Sequence, residues 1–184
     1  MAGSAIREPS VVATGVFVSP EGLVVTSASL LDEAGSRPLK AFTWNGEEYV
    51  PQVVKRDPGS GVLVLRLAAK PRLYLPIVVA TPQVGDRLTA VSFLAAALQS
   101  GQPKVAATLV EKAVKTAAGY RYAVNAQAEK GTAGAPLMDA RGNLVGLLPA
   151  GKTGEGVDHR LWAVPAPALA AAVGPVPESA VTVA

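Results

Sequence analysis

The chain has 184 residues, of which 49% are hydrophobic and 17% are charged, a composition typical of a globular protein and not of a disordered one. The formal net charge is +3 and the basic residues are scattered, so nucleic acid is not an expected partner. The chain has no cysteine, which excludes disulfides and thiol catalysis, and its single histidine, His159, excludes a multi-histidine metal site. We therefore expect neither a metal nor a cofactor.

The sequence also shows no pattern typical of a membrane-spanning helix or of an export signal. The most apolar stretches fall well short of the roughly 20 residues that a membrane-spanning helix needs. The N-terminus lacks the charged and apolar regions of a signal peptide. Met1-Ala2-Gly3-Ser4 has the look of residues added by cloning, so we interpret residues 1–9 as a leader and the rest as a domain of a longer protein. We expect no membrane insertion by this domain.

The first half of the chain is predicted to form short strands joined by tight turns. Apolar and β-branched runs predict strands at Val11–Val18, Leu23–Ser27, Leu39–Trp44, Glu48–Lys55 and Val62–Leu67. Ser19-Pro20-Glu21-Gly22 is a turn sequence, with Pro at the second position and Gly at the fourth. Asn45-Gly46 tolerates the positive φ that a tight hairpin turn requires.

The second half continues in the same way and ends in a helix. Strands are predicted at Arg87–Phe93, Val105–Val114, Tyr120–Asn125, Leu137–Met138, Leu144–Leu148 and Arg160–Val164. Ala80–Val84 reads as a connection between the two halves. Pro165 suits the start of an Ala-rich helix that Gly174 and Pro175 end. About eleven short strands with one late helix predict an all-β barrel or sandwich.

The segment Asn125–Leu148 carries the clearest motif. Its loop reads G-T-A-G-A-P-L from Gly131 to Leu137, and two apolar strands joined by a turn follow. This resembles the nucleophile loop of trypsin-fold serine peptidases, most closely the HtrA-like (Deg) group, which reads G-N-S-G-G-P-L. In this frame Ala133 stands where the family has its nucleophilic serine.

Further motifs in the same order strengthen the resemblance. The hairpin S-P-E-G-L-V-V-T-S-A resembles the family's S-P-D-G-x-I-V-T-x-x-H, which aligns the family's catalytic histidine with Ser29. R-D-P-G-S-G resembles R-D-P-x-x-D, which aligns the catalytic aspartate with Gly61. Asp57, the first aspartate of that motif, belongs to the turn, where its side chain can bond nearby backbone N–H groups. The last strand is close to the family's G-F-A-I-P.

The resemblance implies a trypsin-like double β-barrel with a C-terminal helix. It places the domain at residues 10–174, with an N-terminal barrel at about 10–79, a C-terminal barrel at about 84–164, a helix at 165–173 and a tail at 175–184. With all three triad positions substituted, it implies a pseudopeptidase that acts as a protein-binding or peptide-binding module. It also favours a periplasmic or extracytoplasmic location.

Two other roles for the loop remain open. A rebuilt active site would use Ser29, Thr132 and Lys130, although a lysine beside glycine on an exposed loop is expected to be solvated and not a base. His159 precedes the last strand, where the family does not carry its base. The backbone N–H groups of Gly131 and Ala133, with Lys130 nearby, could instead form an anion-binding nest for a peptide carboxylate or carbonyl.

A nucleotide site is a further alternative. Gly146–Thr153 matches the phosphate-loop pattern G-x-x-x-x-G-K-[ST]. A phosphate loop opens a helix, whereas the residues after Thr153 contain two glycines and no helical periodicity, so we interpret the match as accidental. The last competitor is a structural domain that self-associates, with no ligand in its cleft.

Overall fold

The structure is a computed structural model that describes residues 12–95, 100–117, 119–150 and 160–174. Within these ranges it contains thirteen strands and two helices. The strands are β1 (Val16–Phe17), β2 (Leu23–Ser27), β3 (Ala41–Phe42), β4 (Glu48–Tyr49), β5 (Gln52–Asp57), β6 (Val62–Arg66), β7 (Arg87–Ser92), β8 (Lys104–Thr116), β9 (Gly119–Asn125), β10 (Pro136–Met138), β11 (Leu144–Leu147), β12 (Arg160–Trp162) and β13 (Val164–Pro165). The helices are α1 (Ser29–Ala34) and α2 (Ala166–Val173).

The N-terminal half is built on a four-stranded antiparallel sheet with the order β1-β2-β6-β5. Its two central strands are apolar on both faces, so each face buries a separate cluster. Val25 and Val64 pack in one cluster and Val24 and Leu63 in the other. β3 and β4 form a hairpin of their own, and Gly46 in its turn has a φ of 83°, as the Asn-Gly dipeptide predicts.

The C-terminal half is a seven-stranded sheet with the order β12-β9-β8-β7-β10-β11-β13. Only Ala163 separates the two end strands in the chain, so the sheet curls into a nearly closed barrel. The fully buried Tyr122 lies in its core, and its hydroxyl donates a hydrogen bond to the carbonyl of Val145 at 3.0 Å. Burial raises the pKa of Tyr122 far above its usual value, so the phenol stays neutral.

A shared core joins the two halves. One cluster combines Val25 and Val64 of the N-terminal sheet with Leu147 of β11 and Leu169 of α2. The connecting segment adds backbone contacts, since Leu144 donates to the carbonyl of Pro76 at 3.2 Å and accepts from the amide of Val78 at 3.1 Å. The cleft between the halves is therefore bounded by elements that one hydrophobic core holds together.

The predicted all-β fold class is confirmed: the described residues are mostly β-strand, the C-terminal sheet forms a nearly closed barrel, and a small helix follows it. The predicted domain boundaries stay predictions, and the leader and the tail at 175–184 lie outside the described residues. No helix in the described part of the chain is long and apolar enough to cross a membrane.

Several predicted elements differ in detail. The first strand is confined to Val16–Phe17, and the run predicted at Glu48–Lys55 is divided by Val50 and Pro51. Proline has no N–H to donate to a ladder, which explains that break. The short helix α1 was not predicted, because its six residues are too few to show a helical period.

Leu169→Ala is expected to destabilise the whole domain, because this fully buried side chain joins both halves. Removing it should lower the free energy of unfolding by about 2–5 kcal/mol. Leu73→Ala is the matched control, since Leu73 is 87% exposed and the same change there should cost less than about 0.5 kcal/mol. Urea denaturation of both variants measures the difference. Equal costs would contradict a core shared by the helix and the two halves.

Candidate functional site

The loop that carries Ala133 is held in place by Thr14, a buried residue just before β1. The Thr14 hydroxyl donates to the carbonyl of Gly131 at 2.6 Å and accepts from the amide of Phe93 at 2.9 Å. The Thr14 amide donates to the carbonyl of Ala133 at 2.9 Å. One residue thus connects the N-terminal segment, the end of β7 and the loop.

Thr26 of β2 completes this connection. Its hydroxyl donates to the carbonyl of Thr14 at 2.6 Å, and both side chains are buried. A buried polar group without a partner destabilises the folded state. The loop can therefore pack against the strands only when these hydrogen bonds form. The network fixes the loop without any catalytic group.

Within the loop, the buried Thr132 is hydrogen-bonded to Glu129. The Thr132 hydroxyl donates to the Glu129 carbonyl at 2.8 Å and accepts from the Glu129 amide at 3.0 Å. The Thr132 amide also donates to the Glu129 carbonyl at 3.0 Å. The hydroxyl of Thr132 is therefore engaged in holding a turn.

The two glycines of the loop are required by close packing. Gly134 has a φ of +82°, and a Cβ there would overlap the Thr14 carbonyl and the Thr26 hydroxyl. A Cβ on Gly131 would overlap the carbonyl oxygen of Phe93 and lie 2.9 Å from the Cα of Leu94. Any other residue would push the loop off the strands beneath it.

Two amides of the loop have no hydrogen-bond acceptor among the described residues. Within the part of the chain that the structure describes, the N–H groups of Gly131 and Ala133 meet no acceptor, whereas both carbonyls accept hydrogen bonds from Thr14. Lys130 lies next to them with an exposed side chain, and its carbonyl accepts from the amide of Ala95 at 3.0 Å. These are the residues for which the sequence predicts an anion-binding nest.

Ser29 and Gly61, the other two positions matched to the triad, line one cavity of about 220 Å³. The cavity lies between the halves, because Pro149, Ala150 and Val164 form its opposite wall. The amide of Ala28 donates to the carbonyl of Gly61 at 2.8 Å, which ties the start of α1 to the turn after β5. Gly61 has a φ of +75°, and nothing lies within 4 Å of the Cβ that another residue would carry there.

The hydroxyls of this cavity are paired with their neighbours. The hydroxyl oxygens of Ser29 and Ser27 lie 3.0 Å apart, and the Ser29 amide donates to Ser27 at 3.3 Å. The hydroxyl of Ser60 donates to the carboxylate of Asp57 at 2.8 Å. This hydrogen bond, with those from the backbone amides of Ser60 and Gly59, lowers the pKa of Asp57, so the turn role that the sequence predicts for it is confirmed.

At the rim of the cavity, Arg56 of β5 forms a salt bridge with Asp32 of α1. Both side chains are largely exposed, so the pair contributes little to stability. Among the described residues these are the only charged side chains that line the cavity, and their charges cancel. The cavity is therefore close to neutral.

The residues of the rebuilt-site alternative are only partly brought together. Ser29 lines the cavity, whereas Lys130 and Thr132 do not, and neither does Ala133. His159 and the residues 151–153 of the phosphate-loop match lie outside the described residues. The described part of the chain contains no group of three His, Asp or Glu side chains that could hold a metal ion.

Comparison with known sequences identifies the family. A sequence profile of the trypsin-like peptidase domain matches residues 13–147, which include the hairpin before Ser29, the turn at Gly61 and the loop at Ala133. The chain belongs to the trypsin-like peptidase domain family. No curated protein matches the chain.

Solved structures agree on the fold. The apo form of the MamO protease domain from Magnetospirillum magneticum is 24% identical, with a TM-score of 0.70 over 92% of this chain and 90% of that one. A serine-to-alanine mutant of Rv3671c from M. tuberculosis H37Rv, in an inactive form, is 20% identical, with a TM-score of 0.69 over 88% of this chain and 79% of that one. The serine endoprotease of Yersinia pestis is 22% identical, with a TM-score of 0.70 over 92% of this chain and 57% of that one.

Sequence reasoning missed the residues that support the trypsin-like loop. Thr14 lies in an apolar segment and belongs to no motif that we identified. Thr26 lies in the hairpin motif, but the motif does not indicate its role in supporting the loop. The hydrogen bond from Thr14 to Gly131 joins residues 117 positions apart, so no local sequence pattern predicts it. Two threonines in otherwise apolar strands were the only available signal, since a buried hydroxyl needs a partner.

Thr14→Val is expected to loosen the loop, because it leaves the Gly131 carbonyl and the Phe93 amide without their partner. Two buried unsatisfied groups should lower the free energy of unfolding by roughly 2–4 kcal/mol. Thr81→Val, the same change at an exposed residue, is the control and should have an effect within about 0.5 kcal/mol. Chemical denaturation gives both values, and a Thr14 variant as stable as its control would refute the supporting role.

Proposed function

We propose that this trypsin-like domain binds a peptide or a protein segment without hydrolysing it. Serine peptidases need a hydroxyl nucleophile, an imidazole base and a carboxylate that orients the base. The matched positions hold Ala133, Ser29 and Gly61. Alanine offers no nucleophile, serine is no base near neutral pH, and glycine has no side chain. This threefold substitution is the observation that carries the proposal.

The surfaces that would hold a ligand support a binding role. The cavity at Ser29 and Gly61 is open between the halves, and the amides of Gly131 and Ala133 have no acceptor within the described chain. An extended peptide presents carbonyls and amides, which can pair with such groups as an added strand does. A neutral cavity suits a peptide backbone better than an isolated charge.

The rebuilt peptidase is less well supported. The hydroxyl of Thr132 is occupied by Glu129, and the neighbour of the Ser29 hydroxyl is another hydroxyl, which cannot serve as a base. Among the described residues that line the cavity there is neither a lysine nor a histidine. A nucleophile without a base within reach gains little reactivity.

The domain is expected not to cleave an unfolded, fluorescently labelled protein over hours at several pH values. Ala133→Ser should be equally inactive, because a serine without a base and an orienting carboxylate lacks the barrier reduction that the triad supplies. Repurified protein is required, so that contaminating peptidases are removed. Cleavage that persists after repurification and disappears on Ser29→Ala or Lys130→Ala would overturn the proposal.

Ala150→Trp is expected to block peptide binding, because Ala150 lines the cavity and an indole there would fill it. Ala107→Trp is the matched control, since Ala107 is exposed on the strand β8 and does not line the cavity. Wild-type protein and both variants would be applied to an array of short immobilised peptides, and the hits titrated in solution. We expect affinity to fall about tenfold or more in the Ala150 variant alone. Equal binding by all three proteins would place the ligand elsewhere.

A further inference from the structure

A second surface lies on the outer face of β8, β9 and β12. Tyr122 and Val124 of β9 point into the barrel core, so Ala123 between them points outward. Lys112 and Trp162 are its register partners on the two neighbouring strands. Ala123 is nevertheless fully buried, so larger groups cover it on the outer side.

Two cations lie against the ring of Trp162. The Cζ of Arg121 is 5.1 Å from the ring centroid, and the Nζ of Lys112 is 5.8 Å from it. Both distances are within the range of cation–π attraction. We call these three residues, Lys112, Arg121 and Trp162, the Trp162 platform. Both cationic side chains are exposed and the indole is half-buried.

The platform carries two positive charges that no carboxylate of the described residues neutralises. Within the described residues neither Lys112 nor Arg121 forms a salt bridge. Glu111, which precedes Lys112 in β8, pairs with Arg160 at 3.8 Å. An aromatic ring orients a cation without using its N–H donors, whereas a carboxylate partner would occupy them.

We propose that the Trp162 platform binds an acidic segment of a partner protein. A guanidinium stacked on an indole keeps its planar fork of donors free, which matches the two oxygens of a carboxylate. Lys112 adds a second point charge beside the same ring. The ligand is therefore a pair of neighbouring Asp or Glu side chains, attracted by charge complementarity and aligned by the two cations.

Nucleic acid fits the platform less well. Affinity for a phosphate backbone grows with the number of phosphates that cations neutralise, and two unpaired cations are few for that purpose. The scattered basic residues of the chain do not extend the platform into a stripe. None of the three residues lines the cavity at Ser29, so the platform and the cavity are formed by different residues.

The fluorescence of Trp162 provides a direct test in the full chain. The chain has two tryptophans, and Trp44→Phe leaves Trp162 as the only indole. This protein would be titrated with hexaglutamate and with a neutral glutamine peptide of equal length, at about 20 mM and about 300 mM NaCl. We expect saturable fluorescence changes with hexaglutamate alone, and weaker binding at the higher salt concentration.

Charge-removing variants locate the site. Lys112→Gln with Arg121→Gln should weaken hexaglutamate binding roughly 3- to 30-fold, as expected for two exposed ion pairs. Lys115→Gln is the control, since it removes the same charge from the same strand at a residue outside the platform. Circular dichroism verifies that all variants fold. The proposal is overturned if hexaglutamate does not bind, if the double variant binds as wild type does, if the Lys115 variant loses as much affinity, or if a single-stranded RNA of similar charge binds more tightly.

Discussion

The hydrogen bonds of Thr14 are the interaction on which the organisation of the site depends. Its hydroxyl and amide bond Gly131 and Ala133 of the loop, and the hydroxyl also accepts from Phe93 at the end of β7. Its carbonyl accepts from Thr26 of β2. In a buried environment each of these polar groups needs a partner, so the loop can occupy only the position that satisfies them. The shape of the nucleophile loop in this chain is therefore explained by packing and polar satisfaction alone. The loop geometry of this chain does not by itself indicate catalysis.

The positions matched to the base and the orienting carboxylate have a similar explanation. A buried imidazole or carboxylate is stable only with partners that compensate its desolvation. In this chain a serine bonded to another serine and a glycine with an open Cβ direction occupy those places. The remaining acid of the turn, Asp57, is bonded to Ser60 and to backbone amides. The hydroxyls of the cavity are thus paired within the chain.

The sequence predicted the features that depend on neighbouring residues and missed those that depend on residues far apart in the chain. β2 and β6 were predicted almost residue for residue, because continuous apolar runs bounded by turn residues are local signals. The frame of the loop at Ala133 was found by its motif, since its glycines are required by close approach to neighbouring strands. Thr14 was not found, because its role comes from contacts with residues far along the chain. The Trp162 platform was missed for the same reason: its aromatic ring and cations come from three strands.

A binding module places a different demand on this fold than a peptidase does. The two walls of the cavity come from different halves, with Ser29 and Gly61 on one side and Pro149 and Ala150 on the other. Their spacing is set by the core in which Leu169 of α2 packs against both sheets. Any looseness between the halves would have to be removed when a ligand binds, and that loss of freedom would reduce affinity. In the proposed binding role the C-terminal helix would therefore affect affinity through this spacing, although none of its residues lines the cavity.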